Sequence, residues 1–302
     1  MNIKSKKLCI LGGGWSNERE ISLKSSNDVF ECLKNNGHDV LFYDMKEDLP
    51  SLLREFLKDN SIDLVFNLIH GEGGEDGKIQ RYLDSFDISY CGSDAIASSL
   101  SFNKHQTKMT WIENNLITPK YEIYKSQSYE ICIKKYGEQF FIKDTCSGSS
   151  NNIYLINSNH DFNTFITESN SLREYIIEEK INAYEYTAAI LNREVLPIIK
   201  IIPSNTFYDY EAKYKSNETK FIFPELSKKI MLKIKRDVID AYDALGCKDW
   251  ARVDFFIRDD EIILLEINTI PGMTDHSLVP KAAKKVGISY YNLIIKILDN
   301  NV

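Results

Sequence analysis

The sequence predicts a mixed chain, α/β at its start and α+β beyond. Three observations carry this. The stretch "KKLCILGGGWSNEREISLKSSNDVFECLKNNGHDVLFYD" (6–44) reads as a buried strand, a glycine turn, a helix closed by Gly37 and a second strand, a βαβ pattern. "DLVFNLIHG" (63–71) is another continuous apolar strand; after it come a glycine-rich turn, a helix over "KIQRYLDSF" and a short strand "ISYCGS". Residues 1–100 therefore resemble an open parallel sheet, whose ligands lie at the strand carboxyl ends. From Ser101 the pattern changes. A helix through "NKHQTKMTWIENN", strands "QFFIKD" and "NIYLIN", a short helix near "DFNTFITES" and strand "EYIIEEKI" suggest a small α+β domain, 101–186. The remainder, 187–302, carries long antiparallel signals, "EYTAAILNREVLPIIKII" and "ARVDFFIRDDEIILLEIN". Helices are expected around "KKIMLKIKRDVIDAYDAL" and "LVPKAAKKVGISYYNLIIKIL".

Composition removes several classes of function. With 302 residues, 43% hydrophobic and 27% charged, the chain is that of a soluble globular protein with room for two or three cores. A net charge of −7 argues against a nucleic-acid binder, which needs clustered Lys and Arg. The six cysteines show no CxxC spacing, so neither a zinc site nor a disulfide framework is expected. No apolar run spans a bilayer and "LCIL" is too short for a signal-peptide core, which points to a cytoplasmic protein without a membrane partner.

"ARVDFFIRDDEIILLEINTIPGMT" (251–274) is the most informative stretch, two apolar runs joined by charged residues and read as a β-hairpin. Turn length decides its chemistry. A three-residue turn at Asp259 to Glu261 sets Asp254 opposite Glu266 and Arg252 opposite Asn268, all on one face; a two-residue turn puts Glu266 on the reverse face. Two carboxylates and an amide oxygen on rigid strands are hard ligands of the kind that hold Mg²⁺ with substrate phosphates, and Arg252 completes a clamp on a transferring phosphoryl group. The bland reading is a solvent-facing hairpin edge, disfavoured because Asp254 and Glu266 interrupt apolar runs. A second stretch, "FIKDTCSGSSNN" (141–152), reads either as a loop that wraps phosphate or as an ordinary polar turn.

In chain order, "GGGWSNEREISL", "HGEGGEDGKIQ", "FYDYEAKY", "ARVDFF", "LLEINTIPGMT" and "HSLVP" resemble the D-alanine:D-alanine ligases of the ATP-grasp superfamily over nearly the whole length. The resemblance implies an ATP-grasp fold with an N-terminal open parallel α/β domain, ATP lying between the central and C-terminal parts. It implies an enzyme that phosphorylates one D-alanine carboxylate with ATP and lets the amine of a second displace phosphate, for peptidoglycan precursors. ATP and two Mg²⁺ ions, with Mn²⁺ as an alternative, would be required, and a homodimer is expected.

By motif match, Asp254, Glu266 and Asn268 would hold the metals, while Lys104, Lys143 and Lys213 would contact phosphates. Arg252, with the backbone near Gly272, would stabilise the tetrahedral oxyanion. Glu18 would receive the first ammonium, oriented with Ser149 and Tyr214. Ser277 and Leu278 would meet the second amino acid and its carboxylate, with His70 beside it. Glu178 and Glu185 would take the adenine amino group and the ribose hydroxyls.

Each of these residues has a plainer reading. Glu18 also suits an exposed first-turn carboxylate favoured by the helix dipole, His70 a structural histidine, Tyr214 a packing aromatic and Lys104 a solvated lysine. "GGG" does not complete a dinucleotide fingerprint, since Asn17 stands where the last glycine of GxGxxG falls, so a nicotinamide enzyme is disfavoured. Two alternatives stay in view: the same chemistry on another small amino-acid pair, and a nucleotide-binding paralogue without turnover. The second arises from Asp144, which follows Lys143 where the family usually has proline and brings negative charge towards a polyphosphate, and from Asn151 and Asn152 after the serines.

Overall fold

A computed structural model describes residues 3–148, 152–203 and 219–301. The first sheet is parallel, in the order β2 (Val40–Met45), β1 (Leu8–Gly13), β3 (Leu64–Asn67), β4 (Ser89–Tyr90). Every residue of β1 is buried, as both faces of the strand are covered. Cys9 and Leu11 turn to a core made with α2 (Pro50–Asp59) and α3 (Lys78–Phe86); Leu8 and Ile10 turn the other way, to a core that includes Val29 and Leu33 of α1 (Arg19–Asn35). The sequence pattern missed α2, although Pro50 at its first turn and Leu53 and Leu57, four apart and buried, carry helical signals.

Two helices lead onward, α4 (Ala95–Phe102) and α5 (Lys104–Glu113). Asp94 caps the first by accepting from the amides of Ile96 and Ala97, and Asn103 caps the second by accepting from Gln106. The second sheet is antiparallel, in the order β5 (Tyr121–Ile123), β8 (Tyr175–Glu179), β6 (Phe140–Asp144), β7 (Ile153–Ile156). Helices α6 (Tyr129–Tyr136) and α7 (Asn159–Glu168) pack on it through Cys132, Tyr136, Phe162 and Phe165. The third sheet, also antiparallel, runs β12 (Lys220–Ile222), β11 (Ile199–Ile202), β9 (Glu185–Leu191), β13 (Trp250–Arg258), β14 (Glu261–Asn268), with β10 (Glu194–Val195) on β9. One of its faces carries α8 (Lys228–Ala244) and receives Trp111 of α5, whose indole N–H donates to the carbonyl of Ala241 at 3.1 Å.

The expected final helical stretch is two helices, α9 (Leu278–Lys285) and α10 (Tyr290–Leu298). Gly287, at φ +80°, stops the first, and Ser289 caps the second by accepting from the Asn292 amide. Leu293, Ile294, Ile297 and Leu298 then join Leu8, Ile10, Leu64 and Phe66, so the last helix closes one face of the first sheet. Trp250 enters the same core, and this fixes the first and third sheets against each other. All six cysteines are free thiols, and no helix among the described residues is long and apolar enough to cross a membrane.

Strands β13 and β14 are joined at Asp259 and Asp260, with Arg258 opposite Glu261. Both turn residues have positive φ, 53° and 63°, the backbone of a type I′ turn. Glycine adopts that backbone without the Cβ clash that aspartate carries, so Asp260→Gly is expected to raise stability by about 0.5–1 kcal/mol, read as a higher midpoint in urea unfolding.

Candidate active site

Of the two turn lengths open to the hairpin, the shorter one forms, yet Glu266 does not move to the reverse face. Arg252 pairs with Asn268 and Asp254 with Glu266, but Phe255 pairs with Leu264, leaving Leu265 as an extra residue on β14. A β-bulge of one residue reverses the alternation on the far side of it and cancels the shift imposed by the short turn. The facing carboxylates are thus set by turn and bulge together.

On that face Arg252 lies over Asp254, its Nε donating to Oδ1 at 3.0 Å and its Nη2 to Oδ2 at 2.7 Å. Asp254 is 1% exposed, and this two-point pairing compensates a charge that would otherwise be costly to bury. Asn268 accepts from the Ile270 amide at 3.0 Å through Oδ1, which fixes its amide and leaves that oxygen a second lone pair. Among the described residues no three His, Cys, Asp or Glu side chains converge. A cation at this face would rest on the oxygens of Asp254, Glu266 and Asn268, a donor set whose hardness fits Mg²⁺ or Mn²⁺.

A cleft of ≈ 770 Å³ opens in front of the hairpin. Arg252, Glu266, Asn268 and Gly272 form one wall; Glu18 and Lys104 lie on others, and Ser277 and Leu278 border it as well. Asp254, His70, Lys143, Glu178 and Glu185 are not part of its lining. Glu18 occupies the N-cap position of α1 but does not cap it with its side chain. It is 6% exposed rather than a solvated first-turn carboxylate, and a Cβ at Gly148 would stand 2.3 Å from its Oε1, so a side chain there would push the carboxylate aside. Lys104 reaches the same loop, donating to the Ser147 carbonyl at 2.5 Å. Ser277 sits at the N-cap of α9, its hydroxyl accepting from the Thr274 amide at 3.1 Å. First-turn amides of a helix lack intrahelical acceptors, so Leu278 at this end suits a carboxylate. His70 is buried, with Nε2 3.3 Å from Ser25 Oγ and Nδ1 3.5 Å from Glu75 Oε1; it reaches the cleft wall through Glu75.

Behind the cleft lies a buried charge cluster. Phe141 of β6 stands opposite Glu178 of β8, which places Lys143, two residues on and on the same face, diagonal to that carboxylate. Lys143 pairs with Oε1, while Lys108 of α5 pairs with Oε2 at 2.7 Å as an ion pair rather than a directed hydrogen bond. Burial opposes ionisation of Glu178, but the two ammonium groups outweigh it and hold the carboxyl below its ordinary value of 4.5. Lys108 was not singled out from the sequence. Its signal was its spacing of four from Lys104, which sets both on one side of α5.

Asp144 does not face a phosphate. It is 1% exposed and accepts from the Cys146 amide at 2.9 Å, from Asn152 Nδ2 at 3.3 Å and from Arg173 Nη1 at 2.6 Å. Asn152 has φ 51°, the left-handed backbone that asparagine tolerates, and its carbonyl accepts from the Asp144 amide at 3.1 Å. The two ends of the 145–152 loop are therefore tied by Asp144, and its charge is taken up by an arginine whose role no motif announced. The electrostatic objection to a working phosphate loop is removed. Ser149, Asn151, Lys213 and Tyr214 lie outside the described residues.

Two family models match the chain, the D-ala D-ala ligase C-terminus over residues 112–299 and the D-ala D-ala ligase N-terminus over residues 50–93. The D-alanine–D-alanine ligase of Haemophilus ducreyi is 36% identical, over all of both chains. The D-alanine–D-alanine ligase of Bacillus anthracis in complex with ATP superposes with a TM-score of 0.84 at 26% identity, covering 98% of this chain and 97% of that one. The VanG D-Ala:D-Ser ligase of Enterococcus faecalis superposes at 0.80 with 28% identity, over all of both chains.

Two outcomes follow from this geometry. Glu266→Gln removes the carboxylate that stands opposite Asp254 on this face, so Mn²⁺ bound in the presence of ATP should weaken by at least about tenfold, followed by the free-ion EPR signal, while thermal unfolding stays cooperative. The lowered carboxyl of Glu178 contributes stability that is complete above the unfolded value of 4.5 and is lost as pH falls through its lower folded-state value. Urea unfolding at successive acid pH should show the advantage of the wild type over Glu178→Gln shrinking on acidification; a constant difference would contradict the pairing.

Proposed function

We propose that this chain, which belongs to the D-alanine–D-alanine ligase family, uses ATP to join two D-alanine molecules, supplying the dipeptide for peptidoglycan precursors. The observation that carries this reading is a single cleft bordered by a face of Arg252, Glu266 and Asn268, by the buried Glu18 carboxylate and by the helix end at Ser277 and Leu278. These supply, in one space, oxygen donors for a divalent cation, a receptor for an ammonium group and a receptor for a carboxylate.

In this reading a D-alanine places its ammonium against Glu18 and its carboxylate towards the γ-phosphate of ATP. Carboxylate oxygen forms a bond to phosphorus, ADP leaves, and the acyl phosphate stays in the cleft. The second D-alanine, held by its carboxylate at Ser277 and Leu278 with His70 nearby, attacks through its amine. Arg252 and the backbone near Gly272 receive the charge on the tetrahedral oxygen, and phosphate departs. Asp254, Glu266 and Asn268 would hold Mg²⁺, two ions in the fullest form or Mn²⁺ in its place, which spreads charge on the phosphates. Lys104, Lys143 and Lys213 are assigned to the phosphates, Glu178 and Glu185 to the adenosine, and Ser149 and Tyr214 to orienting Glu18. The unit 1–100 takes the first amino acid, while 101–186 and 187–302 hold the nucleotide between them. The enzyme is assigned to the cytoplasm as a homodimer.

Phosphate release from ATP and Mg²⁺ tests the reading. It should depend on D-alanine, with L-alanine inactive and D-serine included because a D-Ala:D-Ser ligase has a similar structure. Asp254→Ala and Glu266→Ala should each lower turnover by ~100-fold or more with the fold retained. Equal stimulation by L-alanine would remove the D-alanine assignment, and ATP binding without turnover would favour a nucleotide-binding paralogue.

A further inference from the structure

We propose that Lys108 is a positioning residue of the nucleotide site: it holds the charge of Glu178 from behind so that Lys143 can turn to polyphosphate, and it holds the bulge that aims Glu266. The inference rests on the ligase reading above and concerns a side chain that borders no part of the cleft. Lys108 is 1% exposed, and its ammonium is spent on three partners: Glu178 Oε2 at 2.7 Å, Thr118 Oγ1 at 2.9 Å and the carbonyl of Leu265 at 3.3 Å. The last of these belongs to the bulged residue. One side chain on α5 thus joins a carboxylate of the second sheet to the irregularity in the third sheet that brings Glu266 opposite Asp254.

The cluster holds two cations and one anion. If Lys143 alone faced Glu178, the pair would be neutral, and moving Lys143 to a phosphate would strand a buried carboxylate without a counter-charge, which is strongly unfavourable. With Lys108 behind it, Glu178 stays paired whichever way Lys143 turns. The exposures fit this division of labour: the Lys143 side chain is 9% exposed and sits on the strand entering the 145–152 loop, whereas that of Lys108 is 1% exposed and sealed beneath the ring of Tyr121, 5.8 Å from its Nζ. The cluster keeps one net positive charge for an incoming anion.

The test is ATP binding to the whole chain, by titration calorimetry with Mg²⁺ and without D-alanine, for wild type, Lys108→Gln, Lys108→Met, Glu178→Gln and Lys108→Gln/Glu178→Gln. Each Lys108 single variant should bind ATP weaker by about tenfold or more, because Glu178 then claims Lys143. Glu178→Gln alone should itself weaken ATP binding, since Glu178 is assigned to the adenosine, but the double variant, with no buried carboxylate to claim Lys143, should bind within about threefold of Glu178→Gln. In steady state the KM for ATP should rise with the KM for D-alanine unchanged. Wild-type ATP affinity in a folded Lys108 single variant overturns the inference, as does a further loss of about tenfold on adding Lys108→Gln to Glu178→Gln. Failure of both Lys108 singles to fold, beside a double that folds and binds as Glu178→Gln does, assigns Lys108 to stability alone and also overturns it. Absence of ATP binding by the wild type would overturn the ligase reading and this inference together, whereas equal binding by wild type and Lys108→Gln removes this inference only.

Discussion

Strand alternation is binary, and the site depends on that constraint at one place. Residues that pair directly across β13 and β14 share a face, so a slip of one position would send Glu266 to the packed side of the sheet, against Val253 and Ile267. The chain meets this parity condition twice, once by a two-residue turn that gives the wrong alternation and once by the bulge at Leu265 that restores it. Arg252, Asp254, Glu266 and Asn268 come together only because both occur, and the carbonyl freed from the ladder by the bulge is taken up by a buried ammonium.

Electrostatics then divides the region into layers. Nearest the cleft are charges that a ligand can meet, among them Glu18, Lys104, Arg252 and Glu266. Behind them are carboxylates already satisfied by the protein: Asp254 by Arg252, Glu178 by two lysines, Asp144 by Arg173. Such sealed anions cost little because each keeps its counter-charge within hydrogen-bonding distance. Asp144 illustrates the point best: a residue that looks unfavourable beside a phosphate loop works as the tie between its two ends.

Much of this was legible in the sequence because it follows from period and punctuation. The βαβ start, the helix ended near Gly37, the hairpin and the helix over 228–244 come from apolar alternation, glycine and capping residues. α4 escaped notice because its small and polar residues, Ala97, Ser98 and Ser101, are buried without an apolar stripe. The split between α9 and α10 was marked by Gly287 and Ser289 but overridden by continuous apolar spacing. At the site, residue types pointed to Arg252, Asp254, Glu266 and Asn268. The bulge, the burial of Lys108 and the pairing of Arg173 with Asp144 depend on contacts between segments far apart in sequence, which no local pattern encodes.

The seating of α10 on the first sheet bears on how the protein is made. Leu8, Ile10, Leu64 and Phe66 are fixed early in the chain, yet part of the surface that covers them comes from Trp250 and from residues 293–298. During synthesis, at about 5–20 residues per second, that face waits for more than half of the chain to emerge. Until residues 293–298 have emerged, the apolar side chains of that face lack this cover, and the opening sheet reaches its final packing only once α10 has been made.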